Sequence, residues 1–169
     1  MVKRKNNLQV STLIETLSSY FYSDTNRIQR VRPYLEKTSS ISLRLIDWYV
    51  SVYVKNNPVL LHDNTFDISN SHSLHLKSYS KRLFDPFQRN ECIRLHLSDS
   101  DYIDTTISQL NFFKWASQNG VLDHIENNVG DIQKLFQEKK EIKAQKRIKQ
   151  ASKKTKKQQK GEPSIERCL

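Results

Sequence analysis

The sequence predicts an α+β domain that is mostly helical, with a small antiparallel sheet and a basic C-terminal extension. Three observations predict it. Apolar residues recur every three or four positions through much of the chain, the spacing of helical faces. Between residues 59 and 97 short β-type runs replace that spacing. The net charge of +10 belongs to one segment, because from Lys139 to Lys160 eleven lysines and arginines stand against a single acid, Glu141. Such a run cannot pack into a core. The folded domain is therefore read over 1–138, with 1–7 frayed, and residues 139–169 as a disordered or conditionally helical tail. At 169 residues the chain is long enough to bury a sizeable core.

In chain order, Leu8, Leu13, Leu17 and Phe21, with Val10 and Ile14 beside them, fit one face of a helix over Leu8–Tyr22. Asp24 or Thr25 caps a second helix through Glu36, and Pro33 either kinks it or marks a restart. Ser39 and Ser40 offer an N-cap for Ile41–Lys55, whose β-branched and aromatic residues also suit a strand but whose length favours helix. Asn56-Asn57-Pro58 stops it. Val59–Leu61 and Phe66–Ile68 pair as a hairpin across His62-Asp63-Asn64-Thr65. Ser71–Tyr79 fits a further strand or a short helix equally well, and Leu83–Phe87 reads as an irregular turn.

Cys92–Leu97 alternates and is the clearest strand; Asp99–Asp104 reads as an acidic turn leading into Thr105–Leu122. In that last stretch start, content and stop agree. Thr106 and Gln109 have capping-box spacing, and Gly120 can take the left-handed conformation that ends a helix. Between them Ile107, Leu110, Phe112, Phe113, Trp115 and Ala116 form so broad an apolar arc that the helix must be covered on more than one side. Asp123–Asn128 follows as a short helix, and Gly130-Asp131 restarts one through Ile132, Leu135 and Phe136 into the lysine segment.

The runs LIDWYVSVYVKNN, LKSYSKRLFDPFQRN and TTISQLNFFKWASQNGVLDHI resemble a group of uncharacterised proteins of nucleocytoplasmic large DNA viruses, over about Ile41–Phe136. The resemblance implies a viral origin, an intracellular setting and a Lys/Arg-rich stretch after the last helix; it brings no catalytic motif. Where this chain reads GEPSIERCL after its lysine run, some relatives are expected to carry a further apolar strand.

Composition excludes several classes. No apolar run approaches the roughly 20 residues of a membrane span, and MVKRKNNLQV lacks the apolar core of a secretory signal. Val2 and the placement of Cys168 fit neither lipidation pattern. Two distant cysteines, Cys92 and Cys168, imply no disulfide framework and a reducing compartment.

The leading reading is a non-enzymatic nucleic-acid-associated viral protein whose domain also contacts another viral protein. Lys139, Lys140, Lys143, Lys146, Arg147, Lys149, Lys153, Lys154, Lys156, Lys157 and Lys160 would bind phosphates without sequence preference, gaining by counterion release. Lys139-Lys140 and Lys153-Lys154-Thr155-Lys156-Lys157 also have the form of a two-part nuclear-import signal. Host nucleus, cytoplasmic virus factory and virion are the settings this implies; the plainer reading of the segment is a solubilising tail. A second basic patch, Lys77, Lys81, Arg82, Arg89 and Arg94, is interleaved with Tyr79, Phe84 and Phe87 as in a stacking surface.

The runner-up is a virion or assembly protein–protein interaction module whose tail docks on an acidic partner. A third reading, a metal-dependent nuclease, needs Asp99, Asp101 or Asp104 to meet Lys77, Lys81 or Arg82 around a metal. No catalytic residue, cofactor or metal site is assigned. His72, His75, Cys92 and His96 are zinc-type residues, but on a strand the first two face opposite sides, and a lone strand cysteine is usually a small core residue.

Overall fold

A computed structural model describes residues 2–63, 65–89 and 92–159, and the side chains within 8–150 of these. The chain divides into two compact units, Met1–Val129 and Gly130–Leu169. The fold is mostly helical α+β.

Helix α1 (Val2–Tyr22) buries Leu13, Leu17 and Phe21, one face at helical spacing. It begins at Val2, within the stretch expected to fray, where no glycine or proline interrupts the first turns. Helix α2 (Thr25–Leu35) is capped by Asp24, whose carboxylate accepts from Asn26 N–H at 2.9 Å. Pro33 lies in its last turn, and the N–H groups of Thr38 and Ser39 both return to the Pro33 carbonyl. That closure puts Lys37 in the left-handed region, φ 62°, where glycine is the usual occupant.

The next helical stretch is capped by Ser42, whose hydroxyl accepts from Leu45 N–H, just beyond the caps expected at Ser39 and Ser40. Ser39 instead accepts from Ile41 N–H in the turn leading in. The stretch comprises α3 (Leu43–Trp48), a π-helical segment Tyr49–Tyr53 and α4 (Val54–Asn56). Leu45, Ile46, Tyr49, Val50 and Val54 are buried along it. The Tyr49 hydroxyl meets His124 Nε2 at 2.8 Å, and burial pushes that hydroxyl up to about 12.

A two-residue ladder, β1 (Leu60–Leu61) with β2 (Phe66–Asp67), turns through His62 and Asp63, both at positive φ. Asp67 then caps α5 (Ile68–Phe84) by accepting from Asn70 N–H. Ser71–Tyr79 is therefore helix; the backbone leaves helical geometry at Ser80, and a separate short helical turn carries Leu83 and Phe84, the start of the stretch expected to be an irregular turn. Inside α5, Ser80 sits at φ 59°, ψ 170°, a region almost confined to glycine and costing on the order of 1–3 kcal/mol for other residues.

Strand β3 (Cys92–His96) pairs antiparallel with β4 (Tyr102–Thr106), from Cys92↔Thr106 to His96↔Tyr102. Asp99–Asp104 is thus not a turn throughout: the turn closes with Leu97 N–H on the Asp101 carbonyl, and Tyr102 onward is strand. Ile103 and Thr105 point inward while Tyr102 and Asp104 face out, the period-2 pattern of a half-buried strand. The β content is therefore two separate hairpins, where one small sheet over 59–97 was expected.

Helix α6 (Ile107–Gln118) organises this unit. Its cap is Thr106, which accepts from Gln109 N–H at 3.1 Å. Gln109 does not return to close a capping box; its amide donates to the Pro86 carbonyl and its oxygen accepts from the Thr105 hydroxyl. Ser108 donates to the Asp85 carbonyl and buried Asn111 to that of Leu83, so α6 fastens the whole turn after α5. Leu110, Phe112, Phe113, Trp115 and Ala116 are almost wholly excluded from solvent. Gly120, at φ 68°, ends the helix and starts α7 (Val121–Asn127), and a side chain there would meet the His62 ring at 3.4 Å. Arg30 of α2 bonds both Asp123 and Glu126 of α7, and the Tyr34 hydroxyl donates to Glu126 at 2.6 Å.

The second unit is occupied by α8 (Val129–Gln159). Among the described residues no helix is long and apolar enough to cross a membrane.

Candidate nucleic-acid interface

From Gln137 to Gln150 every side chain of α8 is exposed, so this part of the helix contributes nothing to a core. Lys139, Lys140, Lys143, Lys146, Arg147 and Lys149 all lie in that stretch. Lys153, Lys154, Lys156 and Lys157 continue on the same helix, described there by its backbone alone, and Lys160 lies outside the described residues. At about 100° and 1.5 Å per residue, the ten cationic positions from 139 to 157 fall within an arc of about 200° along roughly 27 Å. The opposite side is centred on Ala144, Ile148, Ala151 and Thr155 and includes the segment's acid, Glu141. The tail is thus a helix with one basic face, a property of spacing that total charge does not reveal. Its base is tied locally: Lys140 lies 4.3 Å from the Phe136 ring centre and Gln137 bonds Glu141.

The second predicted patch separates. Lys77, Lys81 and Arg82 are exposed on α5, but Phe84 is fully buried and Tyr79 stacks on it, so two of the three aromatics face inward. Arg94 is taken: its guanidinium makes two bonds to Asp104, at 2.6 and 2.9 Å, and covers Tyr102 at 4.0 Å. That pairing holds the Asp104 carboxyl below its ordinary range. Asp101 is held down in the same way by two bonds from Arg32 at 2.7 and 2.8 Å. Each of these carboxylates has its own arginine, and Asp99 stands exposed beside them. Arg89 joins a different set, lining a cleft with Lys37 and Arg44, neither of which was singled out from sequence.

The zinc-type residues are also redistributed. His72 and His75 lie on a helix, not a strand, and both rings pack on Phe84 and Trp115. Cys92 is exposed, its thiol donating to the Arg89 carbonyl, and so is not a core residue. Among the described residues no group of three or more His, Cys, Asp and Glu is arranged to hold a metal ion.

Comparison with known proteins agrees with a viral setting. The chain is similar to "Uncharacterized protein L507" of Acanthamoeba polyphaga mimivirus, 26% identical over 137 residues. That match covers 75% of this chain and 53% of the relative, so the chain spans about half the length of the curated relative it matches. No solved structure matches. Residues 2–167, nearly the whole chain, match a family of unknown function, and the chain belongs to that family, DUF7197.

Proposed function

We propose that this is a non-enzymatic nucleic-acid-associated protein of a giant virus, holding phosphate backbones along the basic face of α8. The single observation behind this reading is the confinement of ten cationic positions to one arc of a helix whose side chains are exposed from Gln137 to Gln150. A tail that served only solubility gains nothing from such an arrangement. A rod of one-sided charge, by contrast, follows a polyanion and releases its counterions. Lysines on a helix surface reach phosphate oxygens without presenting a fixed fork to base edges, so sequence should scarcely matter. The nuclease reading draws no support from this geometry.

The test is duplex binding across a salt series. With about five cations meeting phosphates, log affinity should fall with log salt at a slope of roughly −4 to −5. Changing Lys146, Arg147, Lys149, Lys153 and Lys154 to Gln should weaken binding at least about tenfold and flatten the slope by about half. A second variant keeps the composition of 139–157 but spreads the cations around the helix. If it binds as tightly as the natural order, the basic face has no role and the segment acts as a plain polycation.

The same lysines support import into the host nucleus. Replacing Lys153, Lys154, Lys156 and Lys157 with Ala should abolish nuclear accumulation of a reporter too large to diffuse through pores. Equal nuclear signal from both forms would remove the import reading and leave phosphate binding untouched.

A further inference from the structure

The turn after α2, the start of α3 and the turn Asp85–Arg89 enclose a cleft of about 460 Å³, within the size range of small-ligand sites. Three cations line it, Lys37, Arg44 and Arg89, and no acidic side chain does. Among the described residues none of the three has an ion-pair partner. In the same unit Arg27, Arg30, Arg32 and Arg94 are bound to carboxylates. Three cations along one cleft with no acidic side chain beside them give it a positive potential that suits an anion.

Two further features narrow the ligand. Lys37 stands at a left-handed position, φ 62°, which places a cation on the turn that walls the cleft. Phe87, at the rim, is 43% exposed, an aromatic face left uncovered beside the cations. The floor is rigid, because Gln109 bridges Thr105 and Pro86, and the Asp85 carboxylate accepts from Phe87 N–H at 2.8 Å. The Ser42 hydroxyl accepts from Leu45 N–H and keeps its own proton for an anion.

We propose that this cleft binds one nucleotide unit, with its phosphate among Lys37, Arg44 and Arg89 and its base against Phe87. Cations beside an aromatic platform are the combination that single-stranded nucleic acids use. An acidic peptide would satisfy the charges but leave the ring bare. The site lies on the first unit and does not depend on the basic helix.

The full chain is titrated at moderate salt with AMP, inorganic phosphate, a short thymidine oligonucleotide and an acidic phosphopeptide, followed by backbone amide shifts. AMP should move resonances of residues 38–44 and 86–89 and leave 139–157 nearly still. Lys37→Gln with Arg44→Gln and Arg89→Gln should lower AMP affinity at least tenfold. Phe87→Ala should weaken AMP while leaving inorganic phosphate unchanged. Lys37→Gly should melt at a higher temperature yet bind AMP less well, which separates lost binding from lost folding. Tighter binding of the oligonucleotide than of AMP would make a strand the source, and equal binding a free nucleotide; either supports the site. Shifts confined to 139–157, an unaffected triple variant, or a preference for the phosphopeptide would overturn it. Because the duplex assay reads the basic helix alone, failure there and failure here are distinguishable.

Discussion

Trp115→Ala should cost about 3–5 kcal/mol, the range for deleting a large buried aromatic, and leave a protein with little fixed tertiary structure. The indole is 2% exposed and sits among Phe84, Phe112, His72 and His75, with ring centres 5.5–6.0 Å away. Its N–H donates to the Ser71 hydroxyl at 2.9 Å, joining α6 to α5. Removing it therefore empties the junction of the two helices and leaves the Ser71 oxygen without its donor. Trp115→Phe retains a ring and loses mainly the hydrogen bond, so it should recover most of the loss, with a residual cost of about 1 kcal/mol for the bond. Chemical unfolding and near-ultraviolet circular dichroism would measure both. A Trp115→Ala protein of unchanged stability would mean that α6 is not the organising helix.

That α6 is central was legible because its signals are local. Thr106, Gln109 and Gly120 mark the ends, and the apolar arc between them needs no knowledge of partners. The start of α5 is marked just as locally by Asp67, but the following residues have no decisive period, so the cap alone does not separate helix from strand. Strand β4 was missed for a different reason. Tyr102–Thr106 becomes a strand only by pairing with β3, and its polar residues suit a turn until Asp104 is seen opposite Arg94.

The candidate sites divide along the same line. The basic helix is a run, and its lysines could be counted. Their confinement to one face follows once the segment is helical. The cleft could not be read from the chain. Lys37, Arg44 and Arg89 come from three stretches brought together by α2, α3 and the turn that α6 fastens. Proximity in sequence links Arg89 to Arg94, whereas the fold sets Arg89 beside Lys37 and Arg44 and Asp104 occupies Arg94.

Acid should weaken the fold well above the range where its carboxylates titrate, and His72 is the reason. Burial, with lesser repulsion from Lys55 and His75, lowers its pKa from 6.5 to about 4 in the folded state. Its Nδ1 is buried without a hydrogen-bond partner among the described residues, so a proton on that nitrogen would be unsatisfied. The unfolded chain accepts that proton near pH 6.5 and the folded chain does not until about pH 4, so the stability tied to His72 is complete above 6.5 and is lost as pH falls toward 4. The full loss is about 3 kcal/mol, of which roughly 2 is gone by pH 5. Partly buried His124 is shifted in the same direction and adds to the slope. Asp47 acts oppositely, since burial and Asp85 raise its carboxyl, while Asp101 and Asp104, held low, titrate below this window. His72→Leu replaces the ring by an apolar group of similar volume, so stability at pH 7.5 should change little and most of the decline toward pH 5 should vanish. Urea unfolding of both proteins at the two pH values measures the difference. An equally steep decline in the variant would mean that His72 is solvated in the folded protein and that another group senses the acid.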